Sequence, residues 1–148
     1  LSPYPEFGKD LPACMFFCTV VNGMPLVYGG QEAGLNKSLK FFEKDTIEWK
    51  YHPNAALYKS LFKLKHENQP LWNGGLGGEM VRIFNDKPGE IISFAREKNG
   101  DKVVSVINFS DKPVAVKLNS RFQVGTYTEY FTGIKYELKG DDELSLPA

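Results

Sequence analysis

Acidic side chains follow a short apolar run near the start of the chain, and paired carboxylates are groups that can hydrolyse a glycosidic bond. The run Met24–Tyr28 is followed by two glycines and then by Gln31 and Glu32. A near-continuous apolar run predicts a strand that is buried on both faces, and residues at the carboxyl end of such a strand in an α/β barrel face the active site. Glycoside hydrolysis needs two carboxylates at a fixed separation across the bond. The sequence therefore nominates Glu32 together with Asp45 or Glu48 as a candidate pair.

The cysteines and histidines do not predict a metal site. Cys14 and Cys18 are four residues apart, which places both on one face of a predicted helix, where a mutual disulfide would have poor geometry. A zinc site would need further ligands, and His52 and His66 are far along the chain. We therefore expect two thiols that are buried in the core, and no metal ligands.

Composition excludes some classes of partner. The 148 residues include 18 basic and 18 acidic side chains, so the net charge is zero, which argues against a nucleic-acid partner held by bulk electrostatics. No apolar stretch is long enough to span a bilayer, so no membrane span is predicted. Nothing in the sequence indicates the cellular compartment.

Two composition regimes meet near Gln69. The first regime predicts a helix that begins after Asp10 and ends at Asn22, then the strand Met24–Tyr28, an irregular stretch over 33–49 and a helix from Pro53 to about Asn68. Short alternating strands with turn residues between them follow, over 80–84, 91–97, 103–108, 114–118, 126–131, 135–138 and 144–146. This pattern predicts an antiparallel sandwich or a Greek-key barrel.

Turn and aromatic residues refine the prediction for the second regime. Asn99-Gly100 is a strong signal for a two-residue hairpin, because both positions of a type I′ turn need a positive φ. Alternation places Tyr127 and Phe131 on one face, where we expect them to fill the sandwich core, and Trp72 is expected in the joint between the two regimes. The alternative is a carbohydrate-binding module whose exposed aromatic rings stack on sugars, with candidates Trp72, Tyr127, Tyr130, Phe131 and Tyr136.

Four segments together resemble the α-amylase family of glycoside hydrolases. Residues 23–32, Gly-Met-Pro-Leu-Val-Tyr-Gly-Gly-Gln-Glu, are similar to the last barrel strand of that family. Residues 41–49 resemble the aromatic-Lys-Asp-x-Ile-x-Trp segment that follows it, and residues 57–67 resemble the eighth barrel helix. Residues 105–110, Ser-Val-Ile-Asn-Phe-Ser, resemble a strand of the C-terminal sandwich domain of these enzymes.

The resemblance implies a fold and a domain division. It implies a mainly β protein in which an antiparallel β-sandwich of Greek-key type is preceded by a helix–strand–helix remnant of a TIM (β/α)8 barrel. Residues 1–69 would be the end of the catalytic barrel, and residues 70–148 the C-terminal sandwich domain. On this interpretation the chain is a fragment that is trimmed at both ends.

The resemblance implies the activity of a larger enzyme rather than of this chain. The parent would be a retaining glycoside hydrolase that acts on α-glucans. Its nucleophile, general acid and second aspartate would lie on earlier barrel strands, and the family's Asn-His-Asp motif is absent here. We therefore assign no catalytic residue and expect the chain alone to be inactive and structural. Alternatives are a carbohydrate-binding sandwich module or a scaffold domain that stabilises the barrel.

The resemblance also assigns roles at the end of the strand. It matches Glu32 with a rim residue rather than a catalytic acid. The structural rim of the last barrel strand would comprise Pro25, Tyr28, Gly30 and Glu32. As polar groups on a βα loop, Gln31, Lys44 and Asp45 are candidates for lining sugar subsites in an intact enzyme, and a purely structural role is the alternative. The implied partners are the remainder of the catalytic barrel and an α-glucan substrate; no cofactor is assigned to this chain, and calcium binding by the parent enzyme is left open.

Overall fold

Two helices precede the strands in the computed structural model, which describes residues 10–148; the first nine residues of the predicted barrel unit lie outside this range. Helix α1 spans Leu11–Val20 and helix α2 spans Pro53–Glu67. Each helix has a proline in its first turn, where the missing backbone amide would have no partner within the helix. At the start of α2, His52 Nδ1 accepts a hydrogen bond from the Asn54 amide at 3.3 Å. Both predicted helices are therefore confirmed.

The prediction that Met24–Tyr28 forms a strand within a sheet is wrong, because no strand of the described residues pairs with this run. Pro25 and Val27 are half-buried, and Val27 packs against the cluster that α1 and α2 share, whereas Met24 and Leu26 are 81% and 92% exposed. The alternation of a strand is thus present, but a strand forms only where a neighbour supplies the ladder of hydrogen bonds.

The second half of the described chain consists of antiparallel strands. The strands are β1 Met80–Arg82, β2 Phe84–Asn85, β3 Ile91–Lys98, β4 Asp101–Asn108, β5 Val114–Asn119, β6 Gly125–Thr128, β7 Lys135–Leu138 and β8 Asp141–Leu146. The first sheet has the order β1-β3-β4, the second sheet has the order β2-β5-β8, and β6 pairs with β7. Asn99 (φ 53°) and Gly100 (φ 83°) form the turn between β3 and β4, as predicted.

One short segment passes from the first sheet to the second. Ile83 lies between β1 and β2, is 1% exposed and points into the sandwich core. Its amide donates to the Ser93 carbonyl at 3.0 Å, and the Ser93 hydroxyl donates to the Ile83 carbonyl at 2.8 Å. The two sheets enclose the core formed by Ile83, Ile91, Ala95, Val114, Val116 and Leu118. The predicted antiparallel sandwich is confirmed.

A second core joins the helices to the sandwich. Phe17 of α1 contacts Phe94 of β3 and Phe109 after β4, with ring centroids 6.4 and 6.0 Å apart. The residues buried at this interface are Val20, Leu64, Leu71, Phe94 and Ile107. Because these side chains come from both halves of the chain, burial of apolar area stabilises the packing of the helical pair on the sheet.

Two expectations about side chains are wrong. Cys18 is exposed and Cys14 is half-buried, so the thiols are not core residues, because the buried face of α1 is formed by Leu11, Met15, Thr19 and Val20 instead. Phe131 does not fill the sandwich core, because β6 ends at Thr128 and the alternation ends with it. The Phe131 ring is 52% exposed and contacts Phe16 of α1 with centroids 6.2 Å apart.

Candidate functional site

The turn after Met24–Tyr28 is held closely against α2. Gly30 has φ 89°, and a Cβ atom at this position would lie 2.9 Å from Ile47 Cγ2, so the turn requires glycine on two grounds. Gln31 is buried, and its side-chain Oε1 accepts from the Tyr28 amide at 3.2 Å. The Gln31 carbonyl accepts from Asn54 Nδ2 of α2 at 3.1 Å. Gln31 therefore fixes the turn from within.

The candidate carboxylate pair is not assembled in the described chain. Glu32 is half-buried, and its Oε2 is buried with no hydrogen-bond partner among the described residues. Glu48 lies 3.5 Å from the Lys50 ammonium, and Asp45 is bound within its own loop. The structure therefore shows no carboxylate that is paired with Glu32 across a substrate position.

Asp45 organises the loop over 37–46. Its carboxylate accepts from Lys37 Nζ at 2.6 Å, from the Lys40 amide at 3.1 Å and from the Thr46 amide at 2.8 Å. The hydrogen bond from Lys37, followed by those from the two amides, lowers the pKa of Asp45 to about 2. Asp45 thus closes the loop at both of its ends.

The tip of this loop carries two exposed aromatic rings that the sequence interpretation did not select. Phe41 and Phe42 are 90% and 93% exposed, and their rings meet edge to face with centroids 4.8 Å apart. Lys40 pairs with Glu43 at 2.6 Å, and Lys44 is exposed. The signal was available in the sequence, since two adjacent phenylalanines between charged residues rarely have a core to fill.

Tyr28 and Pro25, which the resemblance assigns to the rim, have different neighbours. Tyr28 Oη accepts from the Leu39 amide at 3.3 Å and so ties the loop to the apolar run. Pro25 lines a shallow cleft of about 460 Å³ beside α2. Trp72 lies in the same cleft, is 39% exposed and donates from Nε1 to the His66 carbonyl at 2.9 Å, so its ring lies against α2 at the surface and does not fill the joint.

Arg96 of β3 joins the two halves of the chain and is 2% exposed. The guanidinium donates to five backbone carbonyls at 2.8–3.3 Å and forms no ion pair with a carboxylate of the described residues. The acceptors are Val20 and Val21 at the end of α1, Leu71 and Trp72 after α2, and Gly78 before β1. Cations are favourable at a helix C-terminus, where carbonyls lack intrahelical partners.

A second buried cation lies close to Arg96. Lys65 of α2 is buried, and its ammonium donates to the Thr19 carbonyl at 3.0 Å. Burial and, to a smaller degree, the charge of Arg96 lower the pKa of Lys65. Both cations therefore bind carbonyls of the last turn of α1, one from the sandwich and one from the second helix.

Two glycines permit the close approach at this junction. A Cβ atom at Gly77 would collide with the Trp72 carbonyl oxygen, and one at Gly78 would collide with the backbone of Glu97. Gly75, two residues earlier, has open space around it. Sequence reasoning did not identify Arg96 or Gly77, because an arginine in a β-strand and a pair of glycines are both common on surfaces.

The described residues show neither a metal cluster nor a membrane helix. Within residues 10–148, no three or more His, Cys, Asp and Glu side chains come together in a way that could hold a metal ion. Neither α1 nor α2 has the length and apolar character needed to cross a bilayer.

Comparison with known proteins gives matches to a family model, to a curated protein and to solved structures. Residues 81–148 match the family model described as the maltogenic amylase C-terminal domain. Alpha-amylase 2 of Dictyoglomus thermophilum is 27% identical over 141 residues, which cover 86% of this chain and 23% of that protein. The crystal structure of a noncanonic maltogenic alpha-amylase, AmyB from Thermotoga neapolitana, matches with a TM-score of 0.79 at 20% identity, over 95% of this chain and 35% of that one. The chain thus spans about a quarter of the length of the curated relative.

Proposed function

We propose that the whole chain is the C-terminal portion of an α-amylase-like glycoside hydrolase that acts on α-glucans, since residues 81–148 match the family model of the maltogenic amylase C-terminal domain. The observation that carries the proposal is the extent of the structural match. It covers 95% of this chain, so the likeness extends beyond residues 81–148 into the helical part. In this proposal, residues 1–69 complete a catalytic barrel whose other strands come from elsewhere in the enzyme.

The exposed apolar side chains of the helical part support this proposal. Met24 and Leu26 face solvent from the unpaired run, although the other face of the run packs on the helices. Apolar side chains in a strand are stabilised only when a neighbouring layer covers them, and unpaired strand edges favour association. The remainder of the barrel is the partner that would cover the exposed side chains and pair with the edges of the run.

We propose that the catalytic carboxylates lie outside this chain. This is supported by Asp45 and Glu48, the candidate partners of Glu32, both of which are bound to neighbouring groups. The test compares the purified chain with the intact enzyme in an assay of reducing ends released from soluble starch. Cleavage by the intact enzyme alone is expected. Cleavage by the isolated chain that is lost in Glu32→Gln would contradict the proposal.

We further propose that the loop over 37–46 forms part of the glucan site in the intact enzyme. Phe41, Phe42 and Lys44 would contact sugar, while Asp45 holds the loop that presents them and Gln31 holds the turn before it. The charged residues around the two rings would be costly to bury in a barrel core, which favours a place at a solvent-facing rim.

Kinetics of the intact enzyme test the role of this loop. Phe42→Ala is expected to raise KM for maltooligosaccharides, because a ring that stacks on sugar is lost. Tyr51→Ala is the matched control, since Tyr51 is 90% exposed but lies outside the loop. Equal effects of the two variants on KM would remove the loop from the proposed site.

A second candidate function, stabilisation of the barrel by the sandwich, is favoured by the carbonyl contacts of Arg96. These contacts tie α1 and the segment after α2 to β3. Deletion of residues 80–148 from the intact enzyme is expected to lower its Tm while its preference among glucans is unchanged. An unchanged Tm would exclude this function.

A further inference from the structure

The outer face of the second sheet carries an exposed aromatic ring beside a row of polar side chains. The register aligns Phe84 of β2 with Asn119 of β5 and Asp141 of β8. Directly cross-strand residues point to the same face, and the next outward row is Lys117 with Glu143. A shallow groove of about 580 Å³ lies along these strands.

Phe84 is held outward by its neighbours in the chain. Ile83 is fixed in the core, and the Asn85 side-chain amide donates to Ser93 Oγ at 2.7 Å. Asp86 Oδ1 accepts from the Lys117 amide at 2.9 Å. The ring is consequently 65% exposed on a backbone that is fixed at both sides, so ordering it on binding costs little conformational entropy.

The polar groups around the ring suit a neutral ligand rich in hydroxyl groups. The side chains of Asn119, Lys117 and Glu143 form no hydrogen bond or ion pair with other described residues. Charges of both signs surround the ring. Arg82 lies 5.3 Å from the centre of the Phe84 ring, and Arg121 pairs with Asp141 at 3.4 Å. The groove also holds the Lys117 ammonium and the carboxylates of Asp86, Asp142 and Glu143. Such a face attracts neither polyanions nor polycations, but its donors and acceptors match hydroxyls that can accept and donate.

The dimensions of the face also fit a short stretch of saccharide. Adjacent strands lie about 4.8 Å apart, so β2, β5 and β8 together offer about 10 Å across their outer face. This distance accommodates about two sugar rings, one of which can lie on Phe84 while the other reaches the Asn119 and Asp141 side chains. Flat aromatic rings bind the apolar C–H face of a sugar, and polar groups at its edge fix the orientation.

From this geometry we infer that the outer face of β2, β5 and β8 is a second α-glucan binding site, centred on Phe84 and separate from the loop over 37–46. The identity of the glucan rests on the proposed function. The exposed ring and its position beside unpaired polar groups carry the inference, whereas the carboxylates alone would not. The site binds glucan without chemical change and would hold the enzyme on a polymeric substrate.

The experiment uses the intact enzyme with Phe84→Ala and measures adsorption to granular starch by depletion from solution. Phe122→Ala is the matched control, since Phe122 is an 87% exposed phenylalanine of the same sandwich that does not line this groove. Loss of one stacking ring is expected to weaken adsorption about 3- to 10-fold. Phe84→Trp should retain adsorption, because a flat ring remains.

Activity on two substrates separates this inference from the proposed function. Phe84→Ala should slow the hydrolysis of starch granules and leave kcat/KM for a short chromogenic maltooligosaccharide unchanged. Failure of the unmodified enzyme to cleave either substrate would refute the proposed function, but the adsorption result would still decide the inference.

Two outcomes would overturn the inference. One is equal adsorption by Phe84→Ala, Phe122→Ala and the unmodified enzyme. The other is a change in sedimentation by Phe84→Ala from dimer to monomer, which would show that a second copy of the chain covers this face.

Discussion

Replacement of Arg96 by methionine is expected to uncouple the two halves of the chain. Methionine keeps much of the side-chain length but removes the guanidinium that binds carbonyls on α1, after α2 and before β1. Three of the five acceptors, those of Val20, Leu71 and Gly78, are reached by buried hydrogen bonds at 2.9–3.3 Å. Water cannot easily replace the lost donor at these three oxygens.

The magnitude follows from those three carbonyls. Each hydrogen bond to a charged group contributes about 1.5–3 kcal/mol, so the three together account for about 4.5–9 kcal/mol. Relief of the cost of burying the guanidinium, which is on the order of several kcal/mol for a buried ion, offsets part of this loss. We therefore expect the free energy of unfolding to fall by about 3–5 kcal/mol.

Urea unfolding followed by circular dichroism and by tryptophan fluorescence measures this change. Trp72 accepts a hydrogen bond from Arg96 through its carbonyl, so in a Trp49→Phe background, which removes the other tryptophan, fluorescence reports on the junction. Circular dichroism reports on the whole chain. Lys98→Met is the matched control, because Lys98 also lies on β3 and binds one carbonyl, that of Gly75, but at the surface. That variant should lose less than about 0.5 kcal/mol.

The loss in the free energy of unfolding tests whether the hydrogen bonds of Arg96 stabilise the junction. Arg96→Lys should lose about half as much as Arg96→Met, because an ammonium has three donors rather than five. A loss below about 1 kcal/mol in Arg96→Met, equal to that of Lys98→Met, would show that burial of the charge cancels its hydrogen bonds. The junction would then depend on apolar packing alone.

Three further changes test other contacts. Because the pKa of Asp45 is about 2, its contribution to the order of the loop over 37–46 should be complete above about pH 4 and lost as the pH falls through about 2. Asp45→Ala should make this loop accessible to trypsin at neutral pH. Unchanged cleavage would contradict the role of Asp45 in holding the loop. The pKa of Lys65 is lowered in the folded state, so above that pKa the unfolded state binds more protons, and the free energy of unfolding should rise with pH up to about 10.4. Urea titrations at several pH values should show this rise in the unmodified protein and not in Lys65→Met. At neutral pH, Lys65→Met should lower the free energy of unfolding by less than about 1 kcal/mol. Gly77→Ala should cost more than about 2 kcal/mol, because its Cβ collides with the Trp72 carbonyl, whereas Gly75→Ala should change unfolding by less than about 0.5 kcal/mol; similar midpoints for the two would refute the close approach.

Local patterns in the sequence were sufficient to predict most elements. The two helices and the strands follow from apolar periodicity and from turn residues whose backbone preferences are intrinsic, as at Asn99-Gly100. Such signals involve residues a few positions apart, so they act before any tertiary contact exists. The resemblance to the α-amylase family likewise rested on short contiguous segments, and the comparisons support it.

Candidate site residues were less predictable, because their roles depend on partners far along the chain. Gln31 and Asp45 were selected for their polar side chains, but their hydrogen bonds within the fold are what distinguish them. Phe131 was assigned to a core by alternation, yet a turn at Glu129 redirects it: the Glu129 carboxylate accepts from the Phe131 amide at 3.1 Å. Backbone hydrogen bonds of Glu129 with Ile134 and Gly133 close the same turn.

The sequence by itself determined the helices, most of the strands and the resemblance to the α-amylase family, since each depends on local periodicity or on a contiguous motif. Only the tertiary structure decided that Arg96 joins the two halves, because the carbonyls it binds are up to 76 positions away in the chain. It also decided that Met24–Tyr28 lacks strand partners among residues 10–148, because pairing depends on which neighbours are present rather than on the apolar run itself. Intrinsic preference selects an element, but neighbours in space decide what that element binds.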